Sequence, residues 1–264
     1  MELSQVVGIV TGGAAGIGRG FADAILSGGG KVLITDVDSE QLEATGQELQ
    51  SAFGAKNVAW LRQDVTDAGG FHEAFDYAIK YFETHVNLLA NNAGIISAMN
   101  YYADGAPRDW ERVVSIDLIS VMRGTQVAIE YFKKLPSGQE GVIANVSSVA
   151  GLHAVPFWPD YAAAKAGVVA LTRSLFQLKQ SHNIRGFALA PGFADTALGR
   201  FAVANLPEEV RGLGELMQVS EVVDAFVAAV REPANAGRVL SIASNSRSYH
   251  AFPGDEQLFP NSEI

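Results

Sequence analysis

Four glycines near the start of the chain stand between a short apolar run and a helical segment. The apolar run covers Gln5–Val10 and is followed by Thr11, and the glycines occupy positions 12, 13, 16 and 18. Residues Arg19–Ser27 then follow a helical pattern, which Gly28–Gly30 ends. This order of strand, glycine turn and helix lets a pyrophosphate approach the backbone at a helix N-terminus, where free N–H groups and the helix dipole favour anions. A plain glycine turn is the alternative for this motif alone, since its spacing differs from the Gly-x-Gly-x-x-Gly dinucleotide fingerprint.

An acidic residue ends the next predicted strand and bears on which dinucleotide could bind. Lys31–Thr35 predicts that strand, and Asp36 ends it eighteen residues after the last glycine of the turn. A carboxylate at this point can accept hydrogen bonds from both hydroxyls of an adenosine ribose, and it would repel a 2′-phosphate. Asp38 adds negative charge and Ala15 supplies no basic partner, so the sequence favours NAD over NADP. Capping of the next helix is the alternative role, which Asp38 or Ser39 fits better than Asp36.

Strands and helices continue to alternate along the rest of the chain. The predicted strands cover 57–63, 86–90, 141–147, 184–190 and 238–243, and the predicted helices cover 40–53, 67–84, 107–134, 161–181 and 220–231. This alternation is typical of a parallel, doubly wound sheet with helices on both faces. We therefore expect a single Rossmann-like α/β domain over residues 1–264, with a substrate flap at about 193–217 and an irregular tail from about 245.

Composition and charge disfavour several classes of partner. The chain has 264 residues, of which 48% are apolar and 18% charged, so one large domain with a substantial core is expected. The formal charge of −10 disfavours both nucleic acid and an anionic membrane surface. There is no cysteine, and the five histidines show no ligand spacing, so we expect no disulfide and no metal site.

Two long uncharged stretches, 86–103 and 141–159, could suggest membrane spans. Both contain Asn, Ser and Gly at several positions, and we interpret them as buried strands that lead into active-site loops. The first residues, Met-Glu-Leu-Ser-Gln, do not resemble a signal peptide. A cytoplasmic protein that acts on a small-molecule substrate, without a membrane span, is the expectation.

A tyrosine, a lysine and a serine form the candidate catalytic group. Tyr161 and Lys165 share one face of a predicted helix, and Ser148 lies thirteen residues before the tyrosine, at a strand end. A phenol titrates near ~10, and a neighbouring ammonium lowers that value, as a positively charged nicotinamide ring would. Such a base can take a proton from an alcohol as hydride leaves its carbon, while the serine hydroxyl hydrogen-bonds the substrate oxygen. The alternative is a helix face that happens to carry one Tyr and one Lys.

Five motifs occur in an order and at intervals that are typical of one protein family. They are Thr11-Gly12-(x)3-Gly16-Ile17-Gly18, Asn91-Asn92-Ala93-Gly94, Ser148, Tyr161-(x)3-Lys165 and Pro191-Gly192. Together they resemble the classical short-chain dehydrogenase/reductase family over nearly the whole chain. The resemblance implies a seven-stranded parallel sheet with NAD across the C-terminal strand ends. It also implies a homodimer or homotetramer that assembles through the helices at about 107–134 and 160–181.

The same resemblance implies roles for individual residues. Tyr161 is expected to be the catalytic base or acid, Lys165 to lower its pKa and hold the nicotinamide ribose, and Ser148 to hold the substrate oxygen. The cofactor-binding positions implied are Gly12, Gly16, Ile17, Gly18, Asp36, Asp64, Val65, Asn91, Ala93, Gly94, Tyr161, Lys165, Pro191, Gly192 and Thr196.

One position departs from the family pattern. The family usually has Asn before a Leu in the long helix, where it helps to hold a water in a proton relay behind the lysine, and this chain has Asp117 before Leu118. An ionised carboxylate only accepts hydrogen bonds, so it can hold the water or approach Lys165. Our hypothesis is a working relay with a more alkaline optimum.

The expected function is an NAD-dependent oxidoreductase that acts on a secondary alcohol or ketone. Aromatic residues in segments expected to border the site indicate an apolar or lipid-like substrate, namely Phe157, Trp158, Phe193, Phe201, Tyr101 and Tyr102. Ordinary core or interface packing is the alternative for these residues. The run 109–125, with 146–151 and 172–174, is similar to the NAD-dependent hydroxyprostaglandin dehydrogenases of the family. A non-catalytic NAD-binding sensor or scaffold of the same fold is the alternative function.

Overall fold

An eight-stranded sheet organises the computed structural model, which describes residues 1–97, 101–102, 109–206, 208 and 215–255. The strands are β1 Val7–Thr11, β2 Lys31–Asp36, β3 Val58–Arg62, β4 Leu88–Asn91, β5 Gly141–Val146, β6 Ile184–Pro191, β7 Val239–Ala243 and β8 Ser246–Tyr249. Their order in the sheet is β3-β2-β1-β4-β5-β6-β7-β8. All neighbouring pairs are parallel except β7 and β8, which are antiparallel.

Helices follow most of the strands. They are α1 Gly16–Ser27, α2 Ser39–Phe53, α3 Gly70–Phe82, α4 Trp110–Val114, α5 Ser120–Phe132, α6 Pro159–Arg173, α7 Leu178–His182, α8 Ala197–Ala204 and α9 Val219–Arg231. A π-helical turn, Ser115–Ile119, joins α4 to α5 without a break, and short 3-10 turns cover Leu3–Gln5, Ala55–Asn57 and Val149–Gly151. No helix in the described ranges is long and apolar enough to cross a membrane.

The central strands are buried on both faces, as a parallel sheet between two helical layers requires. Neighbouring residues of β1, Ile9 and Val10, are both fully buried but belong to different clusters of the core. On the α1 and α9 side, Phe21 and Phe226 stack with ring centroids 4.1 Å apart. On the α3 and α5 side, Phe75 and Phe132 meet edge to face at 6.0 Å.

The order of the strands reverses beside β1, because β2 lies on one side of it and β4 on the other. Connections leave in opposite directions from such a point, and a crevice opens between them at the carboxyl ends of the strands. The glycine turn after β1 and the segment 92–94 after β4 both border this crevice. The fold therefore brings together motifs that lie about eighty residues apart in sequence.

Three parts of the fold differ from the sequence-based expectations. The seven parallel strands are present, but residues 246–249 of the expected irregular tail form an eighth strand. Asn245 adopts a left-handed conformation (φ 57°), which allows a two-residue turn and the antiparallel strand β8. The helix expected over 161–181 begins earlier, at Pro159, and is interrupted between α6 and α7.

The expected flap at 193–217 contains the regular helix α8, and a β-bridge between Ala194 and Met217 joins its two ends. Residues 207 and 209–214 of this segment lie outside the described part of the chain, as do residues 107–108 of the expected long helix.

Candidate active site

One continuous cavity lies across the carboxyl ends of the strands. It extends from the glycine turn after β1, past the ends of β2 and β3, to the segments that follow β4, β5 and β6. Of the expected cofactor and catalytic positions, those in its wall are Gly12, Gly16, Ile17, Asp36, Asp64, Val65, Ala93, Gly94, Asp117, Ser148, Tyr161, Lys165, Pro191, Gly192 and Thr196. The sequence motifs therefore converge on a single space.

The glycine turn is shaped so that side chains cannot replace its glycines. Gly12 has a positive φ of 64°, and a Cβ there would lie 2.9 Å from the Cα of Ala93. A Cβ at Gly18 would collide with the carbonyl oxygen of Gly12. Asn92 Nδ2 braces the turn by donating to Thr11 O at 2.9 Å and to Gly12 O at 3.2 Å. This bare backbone at the start of α1 fits a pyrophosphate group.

Asp36 faces the same cavity from the end of β2. Its Oδ2 accepts a hydrogen bond from Ala14 N at 3.2 Å, and its Oδ1 accepts one from Asp38 N at 3.2 Å. Helix α2 is capped by Asp38, whose side chain accepts from Gln41 N at 3.1 Å. The sequence-based prediction that Asp38 or Ser39 rather than Asp36 would cap this helix is confirmed.

The loop after β3 is held in a fixed shape in the cavity wall. Asp64 Oδ1 accepts from the backbone N of Thr66 at 2.9 Å and from its hydroxyl at 2.7 Å. These hydrogen bonds hold the pKa of Asp64 below its usual value. Arg123 reinforces the loop by donating to Val65 O at 3.3 Å and to Thr66 O at 2.9 Å.

Asn91 lies away from the position that the resemblance implies. It is buried and does not line the cavity, and its Nδ2 donates to Asn145 Oδ1 at 2.9 Å. Among the described residues, Asn92, Ala93 and Gly94 form this part of the wall instead. The alternation of side chains along β4 turns Asn91 into the core beneath the cavity, which the motif alone does not reveal.

Ser148, Tyr161 and Lys165 come together at the centre of the cavity. Ser148 follows β5, and its Oγ accepts from Ala150 N at 3.1 Å and donates to Pro191 O at 3.3 Å. Helix α6 carries the other two residues, and Lys165 Nζ lies 5.5 Å from the ring centroid of Tyr161. Lys165 Nζ also donates to Val146 O at 3.1 Å, which ties α6 to the end of β5.

The pKa of Tyr161 is raised, not lowered as expected from sequence. Burial of the phenol is the largest cause, and the carboxylate of Asp117 adds to the increase. The ammonium of Lys165 and a hydrogen bond with Ser148 both act to lower the pKa of Tyr161. The predicted effect of Lys165 is therefore present, but in the protein alone it is outweighed by burial, which the motif does not encode.

Asp117 forms a buried ion pair with the candidate catalytic lysine. Its Oδ2 lies 3.0 Å from Lys165 Nζ, and its Oδ1 accepts from Ile95 N at 2.9 Å. Burial raises the pKa of Asp117, although the charge of Lys165 acts in the opposite direction. Burial lowers the pKa of Lys165, but Asp117 and Tyr161 outweigh it and hold that pKa above its usual value.

The π-helical turn and a glycine make room for this ion pair. Asp117 lies within the π-helical turn between α4 and α5, and such turns often occur at functional sites. A Cβ at Gly94 would lie 3.1 Å from Asp117 Oδ2 and 3.3 Å from Lys165 Nζ. A side chain at position 94 would therefore crowd both charged groups.

The wall beyond Ser148 and Tyr161 is apolar. Trp158 and Phe193 belong to it, as expected, whereas Phe157, Phe201, Tyr101 and Tyr102 do not line the cavity. The aliphatic residues of this wall that sequence reasoning missed are Ile95, Ile96, Val149, Val155, Leu198, Ala202 and Leu206. Ile95 and Ile96 directly follow the Asn-Asn-Ala-Gly motif, and this position was the one feature of the sequence that could have indicated residues of the wall.

Known proteins share this sequence pattern. The family model for short chain dehydrogenases matches residues 6–206. Human 15-hydroxyprostaglandin dehydrogenase [NAD(+)] is 34% identical over 200 residues, which cover 75% of this chain and 71% of the human protein. Cis-4-hydroxycyclohexanecarboxylate dehydrogenase of Sinomonas cyclohexanicum is 34% identical over 248 residues, which cover 90% of this chain and 95% of that protein.

Solved structures share the fold. The 3-ketoacyl-(acyl-carrier-protein) reductase of Brucella melitensis, complexed with NADH, superposes with a TM-score of 0.79 at 27% identity over 90% of this chain and 97% of that one. A short chain dehydrogenase/reductase of Burkholderia phymatum, in complex with NAD, gives a TM-score of 0.76 at 26% identity, and the match covers 88% of each chain. The chain described here belongs to the short-chain dehydrogenase family.

Proposed function

We propose that this protein transfers hydride between NAD and a secondary alcohol or ketone, with Tyr161 as the acid or base. It is an NAD-dependent oxidoreductase of its family, and the proposal assigns the steps to its residues. The observation that carries the proposal is the shared cavity. The buried Ser148 and Lys165 and the partly buried Tyr161 open on the same space as the glycine turn and Asp36.

The residues present fit NAD. The bare backbone of the glycine turn would accept the pyrophosphate at the start of α1, and Asp36 would bind the adenosine ribose. Asp64 and Val65 would flank the adenine, and the 191–196 segment would receive the nicotinamide carboxamide. Ala15 offers no positive charge that a 2′-phosphate would need, which supports NAD over NADP.

The proton chemistry would belong to Tyr161. In alcohol oxidation its phenolate would take the hydroxyl proton, and Ser148 would hold the same oxygen by a hydrogen bond. When bound, oxidised NAD supplies the hydride acceptor and a positive charge that favours the phenolate. Lys165, kept protonated by Asp117, would add to that charge and hold the nicotinamide ribose.

The apolar wall supports an apolar or lipid-like substrate. Trp158 and Phe193, with the aliphatic residues around them, would enclose the carbon skeleton on either side of the reacting carbon. The human relative is a 15-hydroxyprostaglandin dehydrogenase, and a hydroxylated prostaglandin agrees with this substrate class.

The assembly and the location are also proposals. A homodimer or homotetramer through α4, α5 and α6 is supported by exposed apolar side chains on that surface, namely Trp110, Ile119 and Met122. The cytoplasmic location expected from the sequence stays a prediction, which cell fractionation would test. One domain, 1–264, would hold both the cofactor and the substrate.

The test is turnover of a panel of apolar secondary alcohols with NAD and with NADP, together with the dissociation constant of each cofactor. We expect NAD-dependent oxidation and at least tenfold tighter binding of NAD, which corresponds to about 1.4 kcal/mol. Preference for NADP would contradict the role given to Asp36. Binding of NAD without turnover of any alcohol or ketone would leave a sensor or scaffold as the function.

A further inference from the structure

Trp158 is a buried tryptophan in the wall of the substrate part of the cavity. The residue is 4% exposed and lines the cavity. Within the described part of the chain, its indole Nε1 donates to no protein atom. This nitrogen is not fully enclosed by protein atoms. A buried tryptophan usually finds a partner for its N–H, so an acceptor on a bound substrate would complete the hydrogen bonding of this residue.

The apolar residues that pack around Trp158 in the described part of the chain offer no such acceptor. It packs in one apolar cluster with Ala202, Leu206 and the partly buried Ile96, Val155, Phe157, Tyr161 and Phe193. The only hydrogen-bonding side chain among these neighbours is Tyr161, which the proposed chemistry already engages. An indole N–H that is buried against an apolar wall without a partner loses its hydrogen bonds with water, which costs free energy.

The position of Trp158 places its side chain in one cluster with that of Tyr161. Trp158 is the residue that precedes the first turn of α6, and Tyr161 follows three residues later in that turn. Side chains three residues apart at a helix start lie on neighbouring parts of one face. A substrate whose reacting oxygen meets Tyr161 and Ser148 can therefore reach Trp158 with an atom close to the reacting carbon.

We propose that Trp158 donates its indole N–H to a second oxygen of the substrate. The substrate class would then be an otherwise apolar secondary alcohol or ketone that carries an acceptor oxygen, such as a carbonyl, on a neighbouring carbon. This inference rests on the proposed function, because it assumes that the reacting oxygen lies at Tyr161. It makes Trp158 a specificity-determining residue as well as part of the wall.

The test compares two ketones of equal size, phenylpropanedione and propiophenone, which differ by a carbonyl in place of a methylene. Each is titrated into the protein saturated with oxidised NAD, where no hydride can be transferred, and dissociation constants are measured by calorimetry. We expect Trp158→Phe to weaken binding of the dione about tenfold, the effect of one hydrogen bond, and to change binding of the monoketone less than about threefold.

Two further variants separate the donor from the packing of the ring. Trp158→Gln keeps an N–H donor without the indole, and it should restore part of the preference for the dione over the monoketone. Phe157→Leu changes the neighbouring ring, which meets Trp158 edge to face at 6.5 Å but lies outside the cavity wall, and it should leave that preference unchanged.

The inference is overturned if Trp158→Phe weakens both ketones equally, or if the wild type binds the dione no better than the monoketone or not at all. These outcomes are distinct from failure of the proposed function. Turnover of alcohols by the wild type tests the proposed function, whereas the ratio of the two dissociation constants tests Trp158.

Discussion

At the scale of single residues, the buried charges around Tyr161 decide how the site titrates. Lys165 and the phenol alone would give a base of low pKa, but Asp117 lies beside the lysine at 3.0 Å and partly offsets its charge. The motif predicted that Tyr161 and Lys165 would share one helix face, because they are one helical turn apart. It also predicted that Ser148 would meet them from the end of a strand. It could not predict the raised pKa of Tyr161, because burial depends on chain segments remote from the motif.

Replacement of Asp117 by Asn should move the pH dependence of alcohol oxidation toward lower pH. The carboxylate raises the pKa of Tyr161, so a neutral amide lowers the pH at which the phenolate forms. The pH dependence of kcat/KM with a saturating concentration of NAD measures this shift. Asp224→Asn, on the exposed face of α9, is the control that removes a remote charge. An unmoved profile in Asp117→Asn would rule out the role given to this carboxylate.

Asp36 and Asp38 offer a matched pair for cofactor choice. Asp36→Asn removes the charge that would repel a 2′-phosphate, so the preference for NAD over NADP should fall at least tenfold, or about 1.4 kcal/mol. Asp38→Asn removes an equal charge two residues away and keeps a good helix cap, so it should change the preference much less. Equal effects of the two variants on the ratio of dissociation constants would contradict the assignment of Asp36.

At the scale of elements, a buried arginine joins the amino end of β6 to the end of α9. Arg185 is fully buried, and it donates to Glu140 Oε1 and Oε2, both at 3.0 Å. It also donates to Ala229 O at 2.9 Å, Val230 O at 2.8 Å and Asn235 Oδ1 at 2.7 Å. This network lies at the end of the sheet opposite the cavity, so it stabilises the fold without forming the site.

Arg185→Ala should lower the free energy of unfolding by about 3–5 kcal/mol, because it leaves Glu140 and two carbonyls without their buried partner. Arg231→Ala is the control, since its ion pair with Glu2 is exposed and longer, at 3.6 Å, and should contribute less than about 1 kcal/mol. Urea unfolding measures both. If Arg185→Ala lowered the free energy of unfolding as little as the control does, the stabilising role given to the network would be wrong.

The network also gives the stability a pH dependence. Burial acts to raise the pKa of Glu140, but hydrogen bonds from Arg185 and Lys179 outweigh it and hold the pKa below its usual value. A depressed pKa in the folded state means that this stabilisation is full above the pKa of an unfolded glutamate and declines as pH falls below it. The difference in stability between wild type and Glu140→Gln should therefore narrow in acid.

Element boundaries could be predicted from sequence only in part. The strand and helix pattern gave the strands β1 to β7 and the helices α1, α2, α3 and α9 to within about three residues, because apolar periodicity and glycines mark them. The strand β8 was missed, since its burial is slight and its one signal is Asn245 in the turn. The π-helical turn at Asp117 packs against α6 and leaves no trace in the local sequence pattern.

At the scale of the whole molecule, exposed apolar side chains on the π-helical turn and α5 support the proposed self-association. Ile119 and Met122 are 44% and 49% exposed and lie three residues apart on one face. Replacement of both by Glu should convert a dimer or tetramer to a monomer, as measured by light scattering after size-exclusion chromatography. Tyr77→Glu on α3 is the control at a similarly exposed aromatic residue. A wild type that is monomeric at micromolar concentration would contradict the proposal.

The fold class and the convergence of motifs were the most predictable features of the whole molecule. Alternating strands and helices favour a parallel sheet, and its strand order brings the glycine turn and the Asn-Asn-Ala-Gly segment to one crevice. The substrate wall was less predictable, because its aliphatic residues come from four separate segments. Phe201, which the sequence suggested for this wall, lies outside it and is 38% exposed.

The most direct test of the account is deuteride transfer from an apolar secondary alcohol, deuterated at its carbinol carbon, to NAD. We predict that the wild type forms deuterated NADH in a single turnover, and that Tyr161→Phe forms it at least a hundredfold more slowly while still binding NAD. Mass spectrometry of the recovered cofactor gives the result. If Tyr161→Phe transfers deuterium as fast as the wild type, the phenol is not the base. If the wild type binds NAD but transfers none from any alcohol in the panel, the chain is not the dehydrogenase described here.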